Sequence, residues 1–115
     1  MRKQDYKGRC EKRQLSKCEG IFKSYDALQT KYALMLEENE EVIEIKCNVP
    51  LDGLYEGLYF SDIVCTKVGG DLFVRECIQR KYLLKPMSVR LLEASRQYWF
   101  KRGVLDWGLV IDGEK

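Results

Sequence analysis

Two acidic residues stand inside runs of side chains that otherwise favour burial. Asp62 lies in the run FSDIVC, and Glu76 lies in the run LFVRECI. Like charges that face each other are destabilising unless something neutralises them, and the usual solutions are a shared proton or a hard divalent cation such as Mg²⁺. If the fold brings the two side chains together, the pair therefore predicts either a coupled acid or a site for Mg²⁺ or Mn²⁺.

The turn between the two runs decides whether the carboxylates meet. A three-residue loop over 68–70 places Asp62 directly opposite Glu76 on the same face, with Cβ atoms about 5 Å apart. A two-residue Gly-Gly loop would shift the register by one and place them on opposite faces. A further interpretation involves no metal site or coupled acid. In it, the strands lie at a sheet edge, and each carboxylate forms a salt bridge with Arg75, Arg80 or a neighbour.

The strands on either side of this turn are apolar on both faces. They are predicted over 59–66 and 72–80. Strands of this kind are typical of a sheet that is covered by helices on both sides. One face carries Phe60, Val64, Val74 and Ile78, and the other carries Ile63, Cys65, Phe73 and Cys77.

The rest of the chain supplies the elements that must position this hairpin. Apolar residues at helical spacing predict a first helix over 24–38, with Ser24 as its N-cap, and a second helix over 88–102. Strands are predicted over 41–47 and 104–111, and the second helix must reach the last strand by a right-handed crossover. The resulting order, αβββαβ, predicts a single α/β or α+β domain.

Length and composition narrow the class of protein. The chain has 115 residues, of which 45% are hydrophobic and 33% charged, as in one globular domain. There is no histidine, which excludes an imidazole base and a histidine metal ligand. The five cysteines form no CxxC pair, so a zinc ribbon or disulfide framework is not indicated and a reducing cytoplasm fits best. No apolar run is long enough to predict a signal peptide or a membrane span.

The net charge of +2 conceals an uneven distribution along the chain. The balance of basic and acidic side chains is +5 over residues 1–23, −7 over residues 24–72 and +4 over residues 73–115. Basic ends suggest a polyanion as partner, whereas an acidic middle suggests a cation site. Residues 1–20 are predicted to form a basic N-terminal arm, and residues 21–115 are predicted to form the domain.

The second predicted helix carries a basic outer face. Arg90, Gln97 and Lys101 lie along one stripe, opposite the side that buries Leu92 and Trp99. Such a surface can hold nucleic-acid phosphates, whose contacts position a duplex without reading its sequence. A solvated helix face is the alternative. Further basic candidates for the same surface are Arg75, Arg80, Lys81 and Lys85.

Three segments resemble, in order and spacing, the N-terminal domain of TnsA, the endonuclease subunit of heteromeric transposases. They are SYDALQTKYALMLEENEEVIEIKCNVPL, YFSDIVC and LLEASRQYWFKRGVLDWGLVID, within residues 18–114. The resemblance implies a restriction-endonuclease-like fold, in which a mixed four-stranded sheet is flanked by helices. It also implies double-stranded DNA and other transposition subunits as partners.

The family's nuclease centre uses a helix Glu, a strand Asp, and a Glu or Gln followed two residues later by Lys, with Mg²⁺ as cofactor. The resemblance places the Asp on Asp62 and the third position on Glu76. The helix position holds Gln29, a weaker metal ligand, and the lysine position holds Ile78, which cannot stabilise developing charge. Arg80 would share a strand face with Glu76 and is the candidate substitute for the lysine.

These residues favour a DNA-binding protein of a mobile element with a partly degenerate nuclease centre. The alternative is an active Mg²⁺-dependent endonuclease that cuts transposon ends, and a third hypothesis is a small adaptor unrelated to nucleic acid. The substituted positions predict little or no nicking of DNA by the isolated chain. Gln29→Glu combined with Ile78→Lys is the change expected to raise nicking most.

Overall fold

The computed structural model describes residues 2–3, 11–53 and 59–112. In this part of the chain, three strands precede each of the two α-helices, and one strand follows the second helix. In that part of the chain neither α-helix is both long and apolar enough to cross a lipid bilayer. The elements are β1 (Arg2–Lys3), β2 (Glu11–Arg13), β3 (Phe22–Ser24), α1 (Ala27–Glu37), β4 (Val42–Pro50), β5 (Tyr59–Lys67), β6 (Leu72–Ile78), a 3-10 helix (Arg80–Tyr82), α2 (Pro86–Lys101) and β7 (Asp106–Ile111).

The main sheet is mixed and is built around β5. Strands β4 and β6 pair with β5 in antiparallel orientation, and β1 pairs antiparallel with its first two residues. Strand β7 joins β6 in parallel, with α2 as the connection between them. This confirms a mixed α/β domain, and the elements follow the predicted order from α1 onward. The three short strands before α1 were not predicted. Because β5 and β6 are interior strands, the interpretation of Asp62 and Glu76 as an edge-strand pair is wrong.

The β5–β6 turn has the three-residue form. The Lys67 amide donates to the Asp71 carbonyl at 2.8 Å, and the Gly70 amide donates to the Lys67 carbonyl at 2.9 Å. Gly69 and Gly70 have φ angles of 102° and 100°, a region that side chains disfavour, so the Gly-Gly pair is what permits this turn. The backbone pairs that follow keep the register in which Ile63 faces Arg75.

Apolar side chains cover both faces of the sheet, as the two-sided pattern of β5 and β6 predicted. Helix α1 and the β2–β3 ribbon close one face, and α2 closes the other. The cluster on the α1 side comprises Leu15, Phe22, Ala33, Leu36, Val42, Ile45, Ile63, Cys65, Phe73 and Cys77. The cluster on the α2 side comprises Leu51, Val64, Val74, Leu91, Trp99 and Val104.

Helix α1 begins later than predicted because a different residue caps it. The Asp26 carboxylate accepts a hydrogen bond from the Gln29 amide at 2.9 Å, which satisfies one of the unpaired donors of the first turn. Ser24, the predicted N-cap, ends β3, and its buried hydroxyl bonds to the Thr30 hydroxyl. The capping residue is therefore Asp26.

Four other boundaries differ from the prediction. Strand β4 continues to Pro50, whereas β6 stops at Ile78 because the chain turns into the 3-10 helix. Helix α2 begins at Pro86, whose missing N–H costs nothing in the first turn, and β7 begins at Asp106. Arg80 consequently lies outside the strand and cannot share its face with Glu76.

The N-terminal region contributes to the domain through β1 and again from residue 11 onward. Strand β2 pairs with β3, and Leu15 is buried in the cluster under α1. The Lys17 ammonium donates to the carbonyls of Leu36 and Asn39 at the end of α1. Residues 1 and 4–10 of the predicted basic arm lie outside the described residues.

Candidate functional site

Glu76 is enclosed by hydrogen-bond donors and is 0% exposed. Its Oε1 accepts from the Asp62 backbone amide at 2.8 Å. Its Oε2 accepts from the hydroxyls of Ser61 and Ser95, each at 2.6 Å. The three donors come from β5 and α2, so the carboxylate of β6 joins the central strands to the helix above them.

Two tryptophans fix the direction of the hydroxyl hydrogens. The Trp99 indole N–H donates to Ser61 Oγ at 2.9 Å, and the Trp107 indole N–H donates to Ser95 Oγ at 3.0 Å. An indole N–H can only donate, so each serine oxygen accepts from a tryptophan and directs its own hydrogen at Glu76. The network therefore presents only donors to the carboxylate.

Burial raises the pKa of Glu76 above its ordinary value, and the charge of Asp62 adds to that rise. The hydrogen bonds from Ser61 and Ser95 oppose the rise because they stabilise the ionised form. Desolvation is the larger effect, so Glu76 takes up a proton more readily than an exposed glutamate.

Asp62 is 1% exposed and forms the reciprocal contact. Its Oδ2 accepts from the Cys77 backbone amide at 2.8 Å, while its own amide donates to Glu76. The backbone pairing of β5 with β6 runs from Thr66 to Ile63. At the next position the two carboxylates accept the amide hydrogens instead. The predicted convergence of the two acidic residues is thus present, in the form of two carboxylates that bridge the strands.

Gln29 lies in α1, next to the junction that Asp62 and Glu76 form between β5 and β6, and it is 0% exposed. Its side-chain N–H groups donate to the Asp62 carbonyl at 3.0 Å and to Asn48 Oδ1 at 3.2 Å. Its Oε1 accepts from the Tyr25 amide at 3.1 Å. The oxygen that would have to face a metal ion is therefore directed at the start of α1.

At the same point along β4 and β5, side chains two residues apart point to opposite faces of the sheet. Asn48 has a φ of 53°, in the left-handed region that asparagine tolerates better than most residues. Before it, Cys47 packs against the cluster under α1, and after it Val49 packs against the cluster under α2. On β5, Ile63 likewise belongs to the α1 side, whereas Ser61 bonds to α2. Gln29 bonds to both strands where this switch occurs.

Ile78 and Arg80, the other two predicted catalytic positions, place no positive side chain beside Asp62 and Glu76. Ile78 is buried at the end of β6, where it pairs with Ile111 of β7. Arg80 is exposed in the 3-10 helix, and its amide donates to Asp112 Oδ1. Within residues 11–53 and 60–112, no group of three or more Asp, Glu or Cys side chains is arranged to hold a metal ion.

The basic candidates divide into one structural residue and a surface group. Arg75 forms an ion pair with Asp106 at 2.8 Å, and its guanidinium lies 4.9 Å from the ring centroid of Phe73. It is therefore engaged in holding β6 to β7. The remaining candidates are all exposed along the 3-10 helix and α2: Arg80, Lys81, Lys85, Arg90 and Lys101.

Two segments of the chain carry surfaces of opposite charge. Residues 80–102 carry seven basic side chains and one acidic side chain, all of them exposed. Residues 37–44, at the end of α1 and the start of β4, carry five acidic side chains and no basic one. The surface over α2 is therefore basic, and the junction of α1 with β4 is acidic.

Sequence reasoning missed most partners of the carboxylates. Ser95 lies midway between Leu91 and Trp99 at four-residue spacing, so it is a polar residue on the buried stripe of α2. That position was a signal for a buried polar partner. Ser61 directly precedes Asp62 and was a second signal. Nothing in the sequence marked Asn48 as a partner, because only the folded chain gives this residue its left-handed conformation.

Comparison with known proteins adds no relative. No protein-family model matches the sequence, and no curated protein matches it. What this site does therefore has to be inferred from its own side chains.

Proposed function

We propose that this chain is a DNA-binding protein of a mobile element, related to the TnsA endonuclease subunit, whose nuclease centre has become a structural element. One observation carries the proposal: the segment 80–102 carries seven exposed basic residues and one acidic residue, Glu93, which pairs with Arg96. Lysine and arginine side chains grouped on one face supply the electrostatic part of binding to a phosphate backbone.

The arrangement of these cations supports a duplex as partner. Helix α2 has 16 residues and is about 24 Å long, which matches the span of several successive phosphates. At its start, the ammonium groups of Lys81 and Lys85 lie 5.1 and 5.0 Å from the ring centroid of Tyr82. This holds two positive charges together at one end, while Arg90 and Lys101 continue the surface along the helix.

The acidic side of the domain supports a defined orientation. A duplex is attracted to the α2 face and repelled from the end of α1, where Glu38, Glu40 and Glu41 are exposed. Contacts of this kind position the duplex without reading its bases, so we expect affinity with little sequence preference from this surface alone.

The carboxylate junction supports a structural role for the former centre. All three donors around Glu76 come from the protein, and the Gln29 oxygen is directed away from Asp62. A divalent cation would have to displace these donors from a fully buried group. We infer that the residues present do not fit a Mg²⁺ ion in this arrangement.

Fluorescence anisotropy with a labelled duplex at low ionic strength tests the DNA proposal. We expect binding that weakens steeply with added salt, because counterions are released when phosphates are neutralised. Arg90→Glu combined with Lys101→Glu should lower the affinity by about tenfold or more.

Lys31→Glu combined with Lys46→Glu is the matched control, since both lysines are exposed on α1 and β4 and the change in net charge is identical. It should affect binding much less than the α2 pair. Absence of binding at low salt, or equal losses for both double variants, would show that α2 is not the contact surface.

An active endonuclease is the second candidate, and the adjacency of Asp62 and Glu76 on neighbouring strands is what favours it. A supercoiled-plasmid assay with Mg²⁺ or Mn²⁺ separates the two candidates. We expect little or no nicking by the unmodified chain. Robust nicking that Asp62→Ala abolishes would establish the enzyme instead.

The residues that would restore the family's centre are expected to destabilise this fold. In Gln29→Glu, a carboxylate would face the Asp62 carbonyl and Asn48 Oδ1, two acceptors that now receive hydrogen bonds, at a cost of about 3 kcal/mol. Ile78→Lys would bury an ammonium group. The double variant, which the sequence alone predicts to raise nicking, should therefore melt at a lower temperature than the unmodified chain and show no gain in nicking. Gain of nicking with an unchanged melting temperature would support the nuclease.

A further inference from the structure

Two cysteine thiols meet where the N-terminal ribbon crosses strand β4. Cys18 follows β2, Cys47 lies in β4, and both pack against the apolar cluster under α1. The two residues line the same cavity, and both thiols are free in this structure. We propose that Cys18 and Cys47 form a reversible disulfide that ties the N-terminal segment to the edge of the sheet.

Backbone contacts hold the two residues close together. The Ile45 amide donates to the Lys17 carbonyl at 2.9 Å, so the residue before Cys18 is bonded to β4. Cys47 lies two residues beyond Ile45 and therefore on the same face of that strand. The Lys23 amide also donates to Cys47 Sγ at 3.4 Å, which closes the ribbon over the second thiol. A bond between the sulfurs thus joins segments that are already in contact.

Both thiols are accessible to a small reagent. Each is half-buried, and both line a cavity of about 410 Å³ that Glu19 and Glu44 border. Cys65 and Cys77 are buried, and burial raises the pKa of the Cys65 thiol to about 12. The oxidant is therefore expected to reach the Cys18–Cys47 pair and not the cysteines of the central strands.

A low-molecular-weight disulfide such as oxidised glutathione is a sufficient oxidant. The Cys47 thiolate attacks one glutathione sulfur, so that a mixed disulfide forms and one glutathione thiolate leaves. Cys18 then loses its proton to water and attacks the Cys47 sulfur, releasing the second glutathione. The two protein thiols are oxidised, and one disulfide is reduced to two thiols.

The order of these steps follows from the surroundings of the two sulfurs. Burial raises the pKa of Cys18 to about 11, and the neighbouring Cys47 thiol adds to that rise. Cys47 borders the same cavity, and its sulfur accepts the Lys23 amide hydrogen. Cys47 is consequently the residue that attacks first, and Cys18 is the residue that resolves the mixed disulfide.

The test equilibrates the full-length chain with mixtures of reduced and oxidised glutathione. Trypsin then releases residues 18–23 and residues 47–67 as separate peptides from the reduced chain. We expect the two peptides to be joined after oxidation. Peptide fragmentation must assign the bond to Cys47, because the peptide 47–67 also contains Cys65.

Thermal melting provides the second measurement. Because the bond closes a loop over residues 18–47, the oxidised chain should melt about 10 °C higher than the reduced chain. Cys18→Ser and Cys47→Ser should each abolish both the joined peptide and the shift. Cys10→Ser, the matched control, should preserve both.

A bond from Cys10 or Cys65, a disulfide between two chains, or a stable mixed disulfide with glutathione would overturn the proposal. So would a Cys18–Cys47 bond that leaves the melting temperature unchanged in the oxidised chain, because the segments would then not be tied as described. The peptide map of the unmodified chain decides the pairing even if one serine variant fails to fold.

Discussion

The two faces of the sheet are held by different kinds of interaction. On the α1 side the buried residues form one large apolar cluster that includes Phe22, Ile45 and Ile63. On the α2 side the apolar cluster is smaller, and a polar network around Glu76 lies beside it. Helix α1 is thus attached by packing and by the neutral side chain of Gln29, whereas α2 is attached by packing together with hydrogen bonds to a buried carboxylate.

This difference predicts how each face responds to substitution. An apolar layer loses stability in proportion to the volume removed and to the cavity that remains, and it does so at any pH. A polar layer loses stability when a buried donor or acceptor is left without its partner, and its stability depends on protonation. Three measurements can break or sharpen the comparison.

Phe22→Ala on the α1 side should give the largest effect. The side chain is 0% exposed, so truncation removes a full ring from the cluster and should lower the free energy of unfolding by about 3–5 kcal/mol. Urea denaturation measures the loss. Met35→Ala, on the exposed surface of α1, is the control and should stay within about 0.5 kcal/mol of the unmodified chain. Equal losses at the two positions would contradict the packed cluster.

Ser95→Ala on the α2 side should cost less, about 1–3 kcal/mol, because it removes few atoms but disrupts two hydrogen bonds. The Trp107 indole N–H loses its acceptor, and Glu76 loses a donor. Gln97→Ala, on the exposed surface of the same helix, is the control for this position. A loss no larger than that of the control would mean that the network does not stabilise the attachment of α2. Urea denaturation at neutral pH makes the comparison.

The pH dependence should give the smallest effects, and it should have opposite sign on the two faces. The Ser16 hydroxyl holds the pKa of Glu37 below its ordinary value, whereas burial raises the pKa of Glu76. The contribution of Glu37 is therefore present above its ordinary pKa and is lost as the pH falls through the lowered one. The contribution of Glu76 is present below its ordinary pKa and is lost as the pH rises through the raised one.

Urea denaturation of Glu37→Gln and Glu76→Gln over a series of pH values separates the two contributions. The stability difference between the unmodified chain and Glu37→Gln should grow as the pH rises from acid toward 4.5, the ordinary value for glutamate. The difference from Glu76→Gln should instead decline as the pH rises above that value. If both stability differences changed in the same direction with pH, the assignment of a lowered pKa to Glu37 and a raised pKa to Glu76 would be contradicted.

Local patterns predicted the secondary structure well where the determinant is local. The Gly69-Gly70 pair predicted the hairpin, and the two-sided apolar pattern of its strands predicted a layer on each face. Proximity of Asp62 and Glu76 was predicted only for the three-residue form of this turn, which the structure adopts. The N-cap at Asp26 and the end of β6 at Ile78 were missed, because neighbouring residues with similar propensity competed for each boundary.

The sequence by itself determined the element order from α1 onward and the opposite charge of the segments around α1 and α2, but it left the hairpin register open between two loop lengths. Only the tertiary structure decided that Glu76 meets Ser61 and Ser95, that Gln29 bridges two strands and that Arg75 is held by Asp106. The reason is physical: turn geometry and periodicity depend on adjacent residues. The hydrogen bonds of the Glu76 network join residues 12 to 38 positions apart, which meet only when α2 is packed on the sheet.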